Sequence, residues 1–331
     1  MLNEHTPPTE QLLLIDGLNV EYHIDRSVVH AVNGVSLSIG HGETLGLVGE
    51  TGAGKTTIAK AIMQILPVPP ARIAAGSIML EGQNVITLSE KEKRKVRGKR
   101  VSMIFQDPMT ALDPVVPVGQ QIAECFRIHE KLPRMQAEKK AVDMLMKVGI
   151  PGERFNEYPH QFSGGMKQRV VIAMALACEP DLIIADEPTT ALDVTIQAQV
   201  LNLMTTLKKE MGTAILLITH DLGIVAGMCD RVAVIYAGEI VEYADTAEVY
   251  DHTAHPYTRG LFDSLPSMNE NARRLKPIQG LMPDPTALPE GCSFWPRCPY
   301  ATDQCRKESP GLSELRPGHF VKCHHPLEVR P

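Results

Sequence analysis

Residues 49–56 read GETGAGKT and fill every fixed position of the pattern G-x-x-x-x-G-K-[ST]. A short apolar run, TLGLVG (44–49), stands before them, and a helix-patterned run, TTIAKAIMQIL (56–66), follows directly. Strand, glycine loop and helix in that order make a cradle for phosphate groups. Gly49, Gly52 and Gly54 let the backbone curl until successive N–H groups point inward, and the helix N-terminus adds partial positive charge. The candidate binding span is Gly49, Glu50, Thr51, Gly52, Ala53, Gly54, Lys55, Thr56 and Thr57. Within it Lys55 can reach the β- and γ-phosphates of a nucleotide, and the Thr56 hydroxyl can ligate Mg²⁺.

Further along, LIIADE (182–187) is an apolar strand that carries Asp186 to its C-terminal end, where ligands bind in open α/β sheets. Asp186 is the candidate Mg²⁺ holder, acting through water. Glu187, next in the chain, is the candidate general base that orients an attacking water. Two acids ending a strand mean little by themselves; downstream of a phosphate loop they complete a hydrolytic set.

The elements that must position these residues are legible from the apolar pattern. β-like runs occur at LLLIDGLNVEY from residue 11 and VSLSI at 35–39. Beyond LIIAD, a helix is predicted over 194–211, with Asp193 as its N-cap and Val200, Leu201, Met204, Leu207 and Met211 on one face. AILLIT (214–219) reads as a strand, and RVAVIYAGEIVEY (231–243) as a hairpin turning at Ala237-Gly238. The stretch from about 110 to 178 is rich in helix formers and lacks clear strands, which predicts a helical subdomain inserted into an α/β core. After about 250 proline and glycine become frequent and periodicity weakens, so a domain boundary is expected near 245–265.

Bulk properties exclude several classes. The 331 residues are 44% hydrophobic and 22% charged, with a formal net charge of −6, which disfavours a nucleic-acid binder held by charge. The basic run KEKRKVRGKR (91–100) reads as a solvated helix face. No apolar run approaches the roughly 18–20 residues that cross a bilayer. The polar, acidic opening MLNEHTPPTEQ lacks the apolar region of a secretory signal, so the expectation is a chain kept in the cytosol.

Of seven cysteines, Cys125, Cys178 and Cys229 are scattered and read as small buried hydrophobes. The other four, Cys292, Cys298, Cys305 and Cys323, crowd into 32 residues, with His324 and His325 adjoining as alternative ligands. Disulfides do not suit a cytosolic chain, and zinc favours tighter Cys pairs. Four thiolates at loose, loop-borne spacing suit an iron–sulfur cluster of the 4Fe–4S type, with zinc as runner-up and free thiols as the third reading.

Taken in order, GETGAGKT, FSGGMKQR (162–169), LIIADEP, TALD (190–193) and LLITHD (216–221) resemble the motifs of the ATP-binding subunits of ABC transporters, over residues 11–245. The resemblance implies an α/β ABC ATPase fold: a RecA-like core sheet, an antiparallel β subdomain and an inserted helical subdomain, followed by a small Cys-rich C-terminal extension. It divides the chain into a nucleotide-binding domain at 11–250 and an extension at 251–331. It implies ATP and Mg²⁺ as cofactors and a head-to-tail ATPase dimer. In that dimer Ser163, Gly164 and Gly165 of the signature stretch would start a helix whose N–H groups receive the γ-phosphate of the partner's ATP, which is the implied explanation of the glycines there. Phe162 and Met166 depart from the usual leucine and glutamine, and Gln168 is not assigned the missing role. The resemblance also implies roles for Gln106, sensing Mg²⁺ or the attacking water; for Asp193, communicating across the dimer; and for His220, contacting the γ-phosphate. Tyr22 is the implied adenine-stacking ring, with His23 as the weaker candidate.

The run HPYTRGLFDSLP (255–266) and GC-x-F-x-P-R-C-P at Gly291–Pro299 resemble the C-terminal region of the oligopeptide/dipeptide (peptide/nickel) importer branch, with Gln279 as a local departure. That narrows the implied cargo to peptides, nickel complexes or related solutes and agrees with an iron–sulfur cluster. The implied partners are a second ABC ATPase (a sister chain or a copy of this one), two membrane-spanning permease subunits and, indirectly, an extracytoplasmic solute-binding protein, with no nucleic acid. The implied location is the cytoplasmic face of the cell's inner membrane. The alternatives are an ABC ATPase acting on nucleic acid or ribosomes, or one gated by a redox- or metal-sensing C-terminal cluster. The solute and the identity of the ATPase partner are not written in this chain.

Overall fold

The computed structural model describes residues 11–190, 192–264 and 277–327. The polar opening stretch, Ala191 of TALD and the last two residues of HPYTRGLFDSLP lie outside them. The chain forms two compact units. The first combines the N-terminal part up to Ser38, Leu45–Asn84 and everything from Thr219 onward; the second holds Ile39–Thr44 and Val85–Ile218.

In the first unit, β1 (Gln11–Ile24), β2 (Ser27–Gly40), β4 (Ala71–Leu80) and β5 (Gln83–Asn84) make a four-stranded sheet in the order β2-β1-β4-β5, with β4 antiparallel to both β1 and β5. Beside it stands β3 (Thr44–Val48), buried at every residue and parallel to β9 (Arg231–Tyr236). β9 turns through Ala237-Gly238, both at positive φ, into antiparallel β10 (Glu239–Asp245), as the sequence predicts. β3 leads into α1 (Lys55–Ile62), which is shorter than the apolar pattern suggests. α8 (Leu222–Met228), α9 (Thr246–Asp251) and α10 (Pro256–Asp263) complete this unit's helices before the C-terminal stretch.

That stretch holds α11 (Asp303–Lys307) and a hairpin of β11 (Ser313–Arg316) and β12 (His319–Val321), in which β12 pairs antiparallel with β10. The pairing rests on a buried polar cluster. Glu242 of β10, with a fully buried side chain, accepts from the backbone N–H groups of Ala254 (2.7 Å) and His255 (3.1 Å) and from His319 Nε2 (2.9 Å). The other His319 nitrogen, Nδ1, lies 3.3 Å from Glu248, which also engages Arg316 and His252. Both ring nitrogens therefore face carboxylates, which calls for the doubly protonated ring. Burial acts to lower the His319 pKa, but the bonds to Glu242 and Glu248 outweigh it and hold it above the usual histidine value. His255 beside it goes the other way: burial pushes it down to about 4.

The second unit contains three parallel strands in the order β8-β7-β6: β6 (Val101–Ile104), β7 (Leu182–Asp186) and β8 (Ala214–Thr219). All three are buried throughout, as strands covered on both faces must be. α2 (Glu90–Val96), which carries much of the basic run, has no buried residue, in keeping with a solvated face. Between β6 and β7 the chain is helical: α3 (Pro108–Ala111), α4 (Val118–His129), α5 (Arg134–Lys147) and α6 (Gly164–Leu176). Val118, Ile122 and Phe126 of α4 and Ala137, Ala141, Met144 and Leu145 of α5 form the core of this helical part. α7 (Val194–Met211) starts at its predicted cap: the Asp193 carboxylate accepts from Ile196 N at 2.9 Å. Val200, Met204 and Leu207 are its buried face. Among the described residues no helix is long and apolar enough to cross a membrane.

His319 supplies a stability test. Its raised folded pKa means that its contribution is complete below the unfolded value near 6.5 and fades as pH rises through the folded value. His319→Gln should cost roughly 3–5 kcal/mol near pH 6, because it removes the cationic partner of buried Glu242 and leaves that carboxylate its two backbone donors. The gap between parent and variant in thermal or urea unfolding should narrow as pH is raised past 7. A gap constant from pH 6 to 9 would contradict the charged ring.

Candidate functional site

The phosphate loop is shaped by close backbone approaches. Gly54 has φ +105°, and a Cβ there would lie 2.4 Å from the Ala31 carbonyl oxygen. At Gly49 a Cβ would lie 2.2 Å from the Ile235 carbonyl oxygen. Only glycine permits either contact, and together they press the loop between β2 and β9. Lys55 is buried at 6% exposure, and its ammonium donates to the Gly49 (2.6 Å) and Glu50 (2.9 Å) carbonyls. It thus closes the curl from inside, at the position from which a P-loop lysine meets phosphate. Thr51, Gly52 and Thr56 are exposed, Ala53 is buried and Thr57 half-buried. The Tyr22 hydroxyl lies 3.5 Å from Thr57 Oγ1, so this ring stands at the start of α1, whereas His23 is exposed and paired with Glu21.

In the second unit, β7 buries Asp186 (4% exposed) and delivers Glu187 at its end. Glu187 sits at φ +48°, a conformation that costs a non-glycine residue energy. Its N–H donates to Ile218 O at 2.8 Å. Its Oε2 accepts from Gln106 Nε2 at 2.8 Å and from Thr190 Oγ1 at 3.0 Å. The sequence-predicted base and the sequence-predicted glutamine are thus directly bonded. Sequence reasoning misses Thr190, although TALD contains it; its role depends on the turn after β7, in which Thr190 N bonds Glu187 O.

α6 begins as predicted, with Ser163 as N-cap accepting from Met166 N at 3.4 Å. The two glycines differ. A Cβ at Gly164 would meet only Leu192 Cδ2, at 3.9 Å, whereas one at Gly165 would lie 2.5 Å from Ile196 Cγ2 on α7. Gly165 is therefore required by packing within this chain, whatever approaches the helix end. Phe162 is buried under the Arg154 guanidinium (4.4 Å to the ring centre), and Met166 Sδ accepts from Arg154. Gln168 is wholly buried and donates to Pro188 O at 2.6 Å, one residue past Glu187. It ties α6 to the end of β7 and does not replace a glutamine at 166. Asp193 caps α7, and exposed His220 follows β8.

Two family models match the chain: ABC transporter over residues 32–190, and oligopeptide/dipeptide transporter, C-terminal region, over 241–305. The chain is 48% identical to a probable peptide ABC transporter ATP-binding protein of Sinorhizobium fredii, over 99% of both chains. It is 46% identical to the dipeptide transport ATP-binding protein DppD of Bacillus subtilis, over 95% of this chain and 94% of that one. The chain belongs to the ATP-binding proteins of ABC transporters. Its similarity to solved structures agrees: cbiO1 of Clostridium perfringens, part of an ABC transporter complex, is 29% identical with a TM-score of 0.64, covering 73% of this chain and 92% of that one. The cassette MJ0796, solved as a dimer bound to ADP and phosphate, shares the fold at a TM-score of 0.64 and 24% identity, covering 71% of this chain and 98% of that one. The fold is the ABC ATPase fold, with mixed α/β sheets, and the chain is an ATPase for which ATP and Mg²⁺ are the expected cofactors.

The expectation of a 4Fe–4S cluster in this ABC protein, with zinc as its alternative, does not hold. Cys292, Cys298, Cys305 and Cys323 line one small cavity of about 10 Å³ together with His324 and His325. Yet among the described residues no three His, Cys, Asp or Glu side chains are grouped so as to hold a metal ion. Burial raises the thiols of Cys292 and Cys298 and pushes Cys323 up to about 11. The histidines are engaged elsewhere: His324 Nε2 with the Glu308 carbonyl (2.9 Å) and His325 Nε2 with the Thr302 hydroxyl (3.0 Å). The third reading, free thiols, is the state of all four in the structure. Of the scattered cysteines, Cys178 and Cys229 are buried as expected and Cys125 half-buried; burial pushes the Cys125 thiol up to about 12.

The contrast between the signature glycines is testable by unfolding. Gly165→Val should destabilise the chain by about 1–3 kcal/mol through collision with Ile196. Gly164→Ala should stay within about 0.5 kcal/mol of the parent. Equal effects would remove the packing reason for Gly165.

Proposed function

We propose that the chain is the ATP-hydrolysing subunit that powers import of peptides, or related solutes such as nickel complexes, across the cytoplasmic membrane. What carries this reading is end-to-end likeness, at 45–48% identity, to peptide, dipeptide and oligopeptide transport ATP-binding proteins, with both family models matched. In this reading residues 11–250 are the nucleotide-binding domain, with its helical subdomain at about 110–178, and residues 251–331 are the C-terminal extension. The chain works at the cytoplasmic face of the membrane, as a head-to-tail dimer with a second ABC ATPase, beneath two membrane-spanning permease subunits fed by an extracytoplasmic binding protein. Nucleic acid and ribosomes find no support, and a sensing cluster loses its basis with the metal.

The residues divide the work as follows. The backbone N–H groups from Gly52 to Thr57 and the Lys55 ammonium bind the phosphates, and Tyr22 stacks on the adenine. Thr56, Asp186 and Gln106 are the groups that would hold Mg²⁺, which when bound offsets negative charge on the phosphates. Glu187 accepts a proton from the attacking water; its bonds to Gln106 and Thr190 aim the carboxylate before substrate arrives, so little reorganisation remains for the reaction. His220 contacts the γ-phosphate. Ser163, Gly164 and Gly165 offer the start of α6 to the ATP of the partner subunit, and Asp193 carries the state of one site toward the other.

Glu187→Gln should lower ATP turnover of the assembled transporter by about 10²–10⁴-fold while ATP still binds. Parental turnover would remove Glu187 as base. Affinity isolation of the tagged chain from detergent-extracted membranes should recover two multi-span proteins and a second ATPase. Recovery with ribosomes or DNA instead would overturn the transport reading.

A further inference from the structure

The C-terminal extension reaches the phosphate loop. Arg297, from the GC-x-F-x-P-R-C-P run, directs Nη1 at both carboxylate oxygens of Glu50, at 3.0 and 3.1 Å. Its side chain is only 5% exposed. It is held from behind by the Gln279 carbonyl (3.0 Å to Nε) and the Ile278 carbonyl (3.5 Å to Nη2), and its guanidinium lies 5.7 Å from the centre of the Tyr236 ring. The same loop residue is held twice more. The Glu50 N–H donates to the Tyr257 hydroxyl at 3.0 Å, and the Glu50 carbonyl accepts from Lys55. A further contact falls two residues on: a Cβ placed on Gly52 would come within 3.1 Å of the Met282 methyl.

We propose that Arg297 is a positioning residue for ATP binding: the extension uses it to hold Glu50 and offset its charge beside the phosphate cradle, and so sets the nucleotide affinity of the loop. The proposal rests on the reading of Gly49–Thr57 as the ATP site. Glu50 is an anion in a loop that must admit a triphosphate. Left alone it would repel the ligand, and a half-buried carboxylate is poorly screened by salt. A guanidinium fixed by two carbonyls and a ring, and shielded from solvent, offsets that charge at little entropic cost. Because Arg297 touches Glu50 and not the reacting atoms, its effect belongs to binding and leaves the chemical step alone.

The test is equilibrium binding of a fluorescent ATP analogue to the full chain, with turnover measured in the assembled transporter. Arg297→Ala should raise Kd about tenfold and KM in step, with kcat within about twofold of the parent. Arg297→Lys should recover part of the loss. In a Glu50→Gln background the same Arg297→Ala change should cost less than about twofold, since the charge it answers is gone. Arg316→Ala, elsewhere in the extension, controls for general loosening and should leave Kd unchanged; circular dichroism and thermal melting report folding for every variant. Parental affinity in Arg297→Ala would overturn the proposal and leave the ATP reading standing. A loss of equal size in the parent and in the Glu50→Gln background would do the same. A parent that binds no nucleotide would sink the ATP reading itself.

Discussion

The phosphate loop exists because two backbone carbonyls come closer to it than any side chain would allow. The Ile235 oxygen crowds Gly49, and the Ala31 oxygen crowds Gly54. Neither partner belongs to the motif; one is on β9 and the other on β2. Their positions depend in turn on the parallel register of β3 with β9, which sets Val48 beside Val234, and on the turn after β9. There Gly238 N donates to Ala53 O at 3.0 Å, while Asn33 bonds the carbonyls of Ala237 and Gly238, at 2.9 Å from its side chain and 2.8 Å from its backbone N–H. A hairpin turn far downstream in the chain thus completes the loop. The glycines answer the protein's own backbone before they answer any phosphate.

The same economy governs the second unit. Glu187 is turned into a left-handed conformation, and the cost is met by its own N–H to Ile218 and by two donors on its carboxylate. Buried Gln168 fixes the carbonyl of the next residue, Pro188. Since Gln168 lies on α6 and α6 packs on α7 through the Gly165–Ile196 approach, α6, α7 and the end of β7 form one connected set of contacts. A shift of α6 cannot leave the surroundings of Glu187 untouched. This is a physical route by which the state of the start of α6 can be felt at Glu187.

Much of this was legible in the sequence because it is local. The strand–loop–helix of Thr44 to Ile62, the Asp193 cap and the hairpin at Ala237-Gly238 are each set by residues within a few positions of one another. The short strands β5, β11 and β12 were not legible, since two to four residues carry no period. Nor were the long-range partners: Gln106 on Glu187, or His319 on Glu242, where a lone histidine in a Pro- and Gly-rich stretch gives no sign of its burial. The cysteines misled for a related reason. Spacing reports that four thiols can meet, and they do line one small cavity, but among the described residues no three ligand side chains are grouped so as to hold a metal ion.

A C-terminal stretch so poor in apolar periodicity still needs something to hold it, because a segment of this size cannot bury a sufficient core by itself. Without a metal staple, that something is a borrowed core. Phe294 packs against Tyr236 of β9 at 5.1 Å and against Tyr257 at 5.4 Å, and those two rings lie 4.7 Å apart. Around them Glu242 and His319 secure the added strand, and Lys322 pairs with Glu239. Tyr236 stands on β9, Glu239 and Glu242 on β10, and Tyr257 on α10, and β9 is also the strand that crowds Gly49. Docking the extension there loads its packing onto the strand that shapes the phosphate loop.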